Sequence, residues 1–127
     1  MYRESDKYLM KIIFLDRDGV INRYPGDSDY VKSWGEFQFL PKVKSSLKKL
    51  NDRGFKIFII SNQAGISKGI YSKETLDLIT KNMLKELNEY KIEIAGVYYC
   101  THRQEDNCSC RKPKTGLIDV AVTQLKN

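Results

Sequence analysis

No run of apolar residues in this sequence exceeds four, as at Ile57-Phe58-Ile59-Ile60, whereas a membrane-spanning helix needs about 20. The N-terminus, Met1-Tyr2-Arg3-Glu4-Ser5-Asp6, lacks the apolar core of a secretory leader. A cytoplasmic protein with no membrane contact is expected. Cysteine is scarce and clustered, with three residues, all between Cys100 and Cys110. That odd count in one loop excludes the framework of a disulfide-stapled secreted domain. Histidine occurs once, at His102, inside the same cluster. Eight glycines and three prolines leave no low-complexity stretch, and there is no internal repeat. The net charge of +6 comes without a basic stripe interleaved with aromatics, the pattern on which nucleic-acid bases stack. Its lysines lie on amphipathic stretches such as 42–49 and 81–91, as solvated helix faces do. No nucleic-acid partner is expected, and a small anionic substrate fits the charge equally well.

What is present reads as one α/β domain, since 127 residues match a single core. Residues 1–10 form a polar N-terminal extension. Lys11-Ile12-Ile13-Phe14-Leu15-Asp16 is a short apolar run ending in charge, as buried parallel strands do. Residues 17–40 carry Gly19, Pro25, Gly26 and Gly35 and predict a long surface loop with a short extended piece at Phe37 to Phe39. A first helix opens at Pro41, with Val43, Leu47 and Leu50 on one face and Gly54 as its stop. Lys56 to Ile60 is a second strand. Ser72 caps a second helix whose stripe is Leu76, Ile79, Met83 and Leu87. Ile94 to Tyr99 is a third strand, and Leu117, Val120, Ala121 and Leu125 mark a last helix running to the end. Alternating strands and helices predict a three-layer, Rossmann-like fold: a parallel sheet with helices on both faces and a site at the strands' C-terminal ends.

The polar residues that follow the strands carry the chemistry. Asp16 and Asp18, one residue apart at a strand end, can divide the labour of phosphoryl transfer. One carboxylate accepts the phosphoryl group and the other donates a proton to the leaving oxygen. A divalent cation such as Mg²⁺ prefers their hard oxygen ligands. Asp-x-Asp-Gly is equally a turn or calcium-loop fragment. Ser61 and Asn62 offer donors to phosphate oxygens, or simply make a turn. Arg111 and Lys112 can neutralise anionic groups, or be surface charge. Cys100-x-His102-x5-Cys108-x-Cys110 supplies one imidazole and three thiolates, a complete tetrahedral set for structural Zn²⁺ in loop 100–110. The alternative is a reduced cysteine cluster without metal.

Phe14-Leu15-Asp16-Arg17-Asp18-Gly19-Val20-Ile21-Asn22 resembles the first motif of haloacid dehalogenase superfamily phosphatases. Ser61-Asn62-Gln63-Ala64-Gly65-Ile66 and Cys110-Arg111-Lys112-Pro113-Lys114-Thr115-Gly116 resemble the second and third, in the branch of D-glycero-D-manno-heptose 1,7-bisphosphate and histidinol-phosphate phosphatases. The resemblance runs from about Lys11 to the C-terminus. It implies a capless, Mg²⁺-dependent phosphomonoester hydrolase acting on a small phosphorylated metabolite, the heptose bisphosphate in the first instance and histidinol phosphate in the second. By that resemblance Asp16 is nucleophile and Mg²⁺ ligand, while Asp18 is general acid/base and lends its backbone carbonyl to the metal. Ser61 and Lys112 hold phosphoryl oxygens, and Asn62, Gln63 and Arg111 bind substrate.

Members of that branch continue with a strand ending in Gly-Asp and a further acidic Mg²⁺ ligand, whereas this sequence ends at Asn127. The core over 11–127 is therefore expected to be an incomplete piece of a longer protein. A complete core predicts a monomer, and an uncovered strand edge predicts a dimer that covers it. A third reading is an inactive, zinc-stabilised phosphate-binding module.

Overall fold

The computed structural model describes residues 11–125. The expected N-terminal extension and the last two residues of the expected C-terminal helix lie outside the described residues. Isoleucine and phenylalanine favour the extended backbone of a half-covered or fully covered strand, and they build the centre of the sheet. Strand β1 spans Lys11–Leu15, β2 spans Phe55–Asn62 and β3 spans Gly96–Cys100. All pair in parallel in the order β1-β2-β3, with Phe14 opposite Phe58 and Ile60 opposite Tyr98. Residues Ile57 to Ser61 of β2 are buried, whereas no residue of β1 is, so β1 forms an edge among the described residues.

Side chains alternate across β2, and the two faces bury different partners. Ile57 and Ile59 enter the main core with Leu47 of helix α1 (Val43–Asp52) and Ile79, Met83 and Leu87 of helix α2 (Lys73–Glu89). On the other face Phe58 stacks between Phe14 and Tyr98, at 5.5 and 6.2 Å between ring centroids. Ile60 and Cys100 pack there with Leu117 of helix α3 (Gly116–Leu125). Helices thus lie on both faces, and the expected α/β three-layer architecture is the one observed.

The predicted elements hold with shifted boundaries. The Ser72 hydroxyl caps α2 by accepting from Thr75 N at 3.1 Å, and the four stripe residues are all buried. Pro41 does not begin α1. Lys42 takes a left-handed conformation, φ 68°, and Val43 N donates to Leu40 O at 3.3 Å, which assigns Pro41 to the preceding turn. β3 starts at Gly96 rather than Ile94. A Cβ at 96 would come within 2.9 Å of the Tyr98 ring and 3.1 Å of the Phe58 ring, so glycine spares both rings a shift where the strands close.

The loop 17–40 is more ordered than its composition implies. Ile21, Val31 and Phe37 are buried in the main core, and Leu40 N donates to Ile21 O while Arg23 N donates to Gln38 O, at 3.0 and 2.9 Å. The extended piece expected at 37–39 is therefore the partner of 21–23. A short 3-10 helix, Trp34–Glu36, is capped by Ser33. This anchoring presses the loop's first residues over the end of β1.

Candidate active site

Parallel strands expose their last residues at one sheet edge, and the loops after them gather the predicted residues. Asp16 follows β1, Ser61 and Asn62 close β2, and Lys112 arrives from the loop after β3. Asp16, Asp18, Ser61, Asn62 and Lys112 line one cavity of about 310 Å³, walled by Tyr24 and Tyr30 from the long loop. That is the small end of the range for ligand cavities.

The two carboxylates have different surroundings. Asp16 is open, its side chain 42% exposed, with Oδ2 2.9 Å from Lys112 Nζ and Oδ1 accepting from Arg17 N at 2.8 Å. Asp18 is 16% exposed and held from three sides. Its Oδ1 accepts from Arg17 Nε at 2.9 Å and Asn22 Nδ2 at 3.1 Å, and its Oδ2 from Gln63 Nε2 at 3.2 Å. The Lys112 ammonium also donates to Ile60 O at 3.2 Å, so the end of β2 anchors the cation that Asp16 faces.

Not every expected residue faces the cavity in the expected way. Asn62 lines it, but both its amide atoms are engaged by Lys112: Nδ2 donates to Lys112 O at 3.2 Å and Oδ1 accepts from Lys112 N at 2.9 Å. This two-point clamp sets the lysine's backbone. Gln63 is fully buried and absent from the cavity lining; it touches Asp18 and Ser61 from behind. Arg111 donates to His102 O at 3.4 Å and lines a separate cavity of about 390 Å³ beyond Lys112.

Arg17 is the residue that sequence reasoning missed. Flanked by two aspartates it resembles surface charge, yet it is 0% exposed, between the rings of Phe37 and Tyr99 at 5.8 and 5.6 Å. Burial works to lower its pKa, but Tyr99 and Asp18 outweigh that and raise it, so a cationic guanidinium holds Asp18 from within the core. Aromatic faces replace water around this charge.

Beyond the cavity, Cys100 Sγ, His102 Nδ1, Cys108 Sγ and Cys110 Sγ all lie within 4.8 Å of one another. Cys108 Sγ lies 3.4 and 3.6 Å from the sulfurs of Cys100 and Cys110, near the edge of about 3.8 Å in a tetrahedron with Zn–S bonds of about 2.3 Å. Cys100 and Cys110 stand 2.7 Å apart and must spread by about 1 Å to bind one ion. The thiols are free and cannot all ionise unaided. Burial, then the neighbouring thiols, drives Cys110 up to about 12. At Cys108 burial is outweighed by hydrogen bonds from the Arg111 backbone and the other thiols, which lower it to about 6. A soft divalent cation is the partner this donor set fits. The cluster is sewn to the active site: Gln63 N donates to Cys100 O at 2.7 Å, and Arg103 Nη2 donates to Ser67 O at 2.7 Å.

Gly116 closes the loop by donating to Ser109 O at 3.0 Å, and a Cβ there would sit 2.5 Å from that same oxygen. Gly116→Ala is expected to destabilise the chain by about 1–3 kcal/mol through overpacking, a fall of roughly 5–10 °C in thermal midpoint. An unchanged midpoint would show that the loop yields freely.

Known proteins resemble this chain over most of its length. The pattern of the family described as polynucleotide kinase 3 phosphatase matches residues 11–127. A probable D-glycero-D-manno-heptose-1,7-bisphosphate 7-phosphatase of Thermoplasma volcanium is 37% identical over 92% of this chain and 78% of its own length. The D-glycero-beta-D-manno-heptose-1,7-bisphosphate 7-phosphatase of Haemophilus ducreyi is 38% identical over 91% of this chain and 65% of its own length. The crystal structure of D,D-heptose 1,7-bisphosphate phosphatase from B. bronchiseptica, complexed with magnesium and phosphate, superposes with a TM-score of 0.85 at 30% identity, covering 93% of this chain and 65% of that one. The chain thus spans about two thirds of the length of the latter two. Among the described residues no helix is long and apolar enough to cross a membrane. With a parallel α/β core, two carboxylates after β1 and a matching pattern over 11–127, the chain belongs to the polynucleotide kinase 3 phosphatase family of haloacid dehalogenase-type phosphatases, on the branch of the heptose-1,7-bisphosphate phosphatases.

Proposed function

We propose that this chain carries the catalytic site of a phosphomonoester hydrolase that works through an aspartyl phosphate on a small sugar phosphate, a heptose 1,7-bisphosphate. The observation that carries the reading is the open Asp16 carboxylate, 2.9 Å from the Lys112 ammonium, in one cavity with Asp18 and Ser61. Asp16 supplies the oxygen that bonds to phosphorus as the bond to the leaving oxygen breaks. Asp18, restrained by Arg17, Asn22 and Gln63, gives a proton to that leaving oxygen. It then takes one from the water that attacks phosphorus and releases Asp16. Lys112 neutralises phosphoryl oxygens and the Ser61 hydroxyl donates to one. Asn62, through the Lys112 backbone, acts as a positioning residue, and Arg111 serves any anionic group that reaches its separate cavity.

Mg²⁺ suits this site, because the carboxylate of Asp16 is open and of the hard oxygen type; the ion would screen phosphate from carboxylate, with the Asp18 backbone carbonyl as the further ligand that the family resemblance implies. Cys100, His102, Cys108 and Cys110 hold Zn²⁺ as scaffold. The family description favours a second reading, a phosphatase of 3′-phosphorylated nucleic-acid ends. Against it, Lys32, Lys44, Lys48 and Lys73 are paired with carboxylates, which leaves less free charge to track a nucleic-acid backbone.

The test is phosphate release by the full-length polypeptide with Mg²⁺ from heptose 1,7-bisphosphate, histidinol phosphate and a 3′-phosphorylated oligonucleotide. The heptose bisphosphate is expected to lead in kcat/KM by about 10²-fold or more. Preference for the oligonucleotide would replace the substrate assignment, and no turnover of any would favour a phosphate-binding module.

A further inference from the structure

Gln63 is a fully buried amide that reaches two residues of the site without entering the cavity, and its orientation is set by its neighbours. Whenever Asp18 is ionised its carboxylate can only accept, as it does from Arg17 and Asn22, so the amide nitrogen faces it. Oε1 then faces Tyr71, whose hydroxyl must be the donor, at 2.5 Å. Burial pushes the Tyr71 hydroxyl's pKa upward, which keeps that proton in place. The two hydrogens on Nε2 serve Asp18 Oδ2 at 3.2 Å and Ser61 Oγ at 3.0 Å. Ser61 and Gln63 lie two residues apart at a strand end, a spacing that sends side chains to the same side.

We propose that Gln63, held by Tyr71, is a positioning residue that restrains the Asp18 carboxylate and, by donating to Ser61 Oγ, turns the serine's own proton outward to the phosphoryl group. This rests on the aspartyl-phosphate reading. Ser61 can accept or donate on any side. Occupying its oxygen with a fixed N–H leaves its proton for the cavity, where a preoriented donor is worth more than one that must rotate. Tyr71 is itself seated. A Cβ at position 65 would lie 2.1 Å from Tyr71 Cε1, so the ring rests against the Gly65 backbone, with Tyr30 at 5.9 Å on another side. Thus Gln63 and Gly65 of the second motif, with Tyr71 beyond it, form one line of support ending on two functional groups.

Gln63→Leu removes both N–H groups at similar volume, and Tyr71→Phe removes one hydroxyl. Expected are losses of about 10²-fold and about 10-fold in kcat, with KM moving less than about 3-fold. The double variant is expected to be no slower than Gln63→Leu alone, because Tyr71 acts through Gln63. Multiplying losses, or losses shared equally by KM and following the thermal midpoint, would overturn the proposal. A second measurement is independent of turnover. The Gln63 side-chain amide should show slowly exchanging ¹H–¹⁵N signals that shift in Tyr71→Phe. Rapid exchange or indifference to Tyr71→Phe would sink the inference, whereas a wild-type protein with protected amide signals and no turnover would sink only the phosphatase reading.

Discussion

Asp16→Asn is expected to lower kcat by about 10⁴-fold or more, because an amide cannot form the proposed acyl phosphate. The substitution keeps size and shape, so the fold and the cavity should survive. It removes the negative charge 2.9 Å from Lys112 Nζ, and the ammonium, still tethered to Ile60 O, remains to attract phosphate. Binding of inorganic phosphate should therefore persist or tighten while hydrolysis disappears. That pattern separates a nucleophile from a residue that merely binds. Beryllium fluoride, which mimics a phosphoryl group, should be found in crystals of the full-length protein on an Asp16 oxygen. Undiminished hydrolysis by Asp16→Asn, or an adduct on another side chain, would remove the proposed intermediate.

The parts legible in the sequence are those governed by local periodicity and by residue chemistry. Leu76, Ile79, Met83 and Leu87 announce the buried face of α2 because helical spacing alone aligns them. Asp16, Asp18, Ser61 and Lys112 meet in one cavity because parallel topology brings the ends of strands together whatever the side-chain details. The Cys/His cluster is legible because its four donors are close in sequence and these residue types occur nowhere else in it.

What escaped depends on partners distant in the chain. Arg17 sits in a run that alternates charge, and nothing local states that Phe37 and Tyr99 will enclose it. Asn62 and Gln63 are adjacent amides in one turn, yet one clamps Lys112, 50 residues on, and the other supports Asp18 from inside the core. Their type permits either job, and only the packing of Tyr71 and Lys112 assigns it. Arg111 follows the same rule. The residue beside Lys112 in the chain projects elsewhere because the Lys112 backbone, not its neighbour, is what Asn62 grips. The start of α1 was misplaced for a smaller reason: Pro41 suits a first helical turn and a tight turn equally, and the left-handed Lys42 selects the second.

Removing the metal from the cysteine cluster should be the other large effect, felt at the active site as well as in stability. The purified protein is expected to hold about one Zn²⁺ per chain. Chelation or Cys110→Ser should lower the thermal midpoint by roughly 10 °C, equivalent to a loss of about 3 kcal/mol. None of residues 101–116 is fully buried, so beside the cluster this loop is ordered by hydrogen bonds such as those of Arg103, Lys112 and Gly116 rather than by a core. Without a cation, the thiol of Cys110 opposes ionisation and the donors have no common partner. Lys112 lies two residues after Cys110, and its backbone reaches Asn62 only while the loop lies across the end of β2. Loosening the cluster therefore releases the cation that faces Asp16. Turnover should fall with the metal even in saturating Mg²⁺, and Zn²⁺ should restore both the midpoint and the rate to the chelated protein but not to Cys110→Ser. A chain that purifies without zinc, with a midpoint indifferent to chelators, would show instead that hydrogen bonds such as Lys114 Nζ to Cys108 O, 2.7 Å, suffice to order the loop.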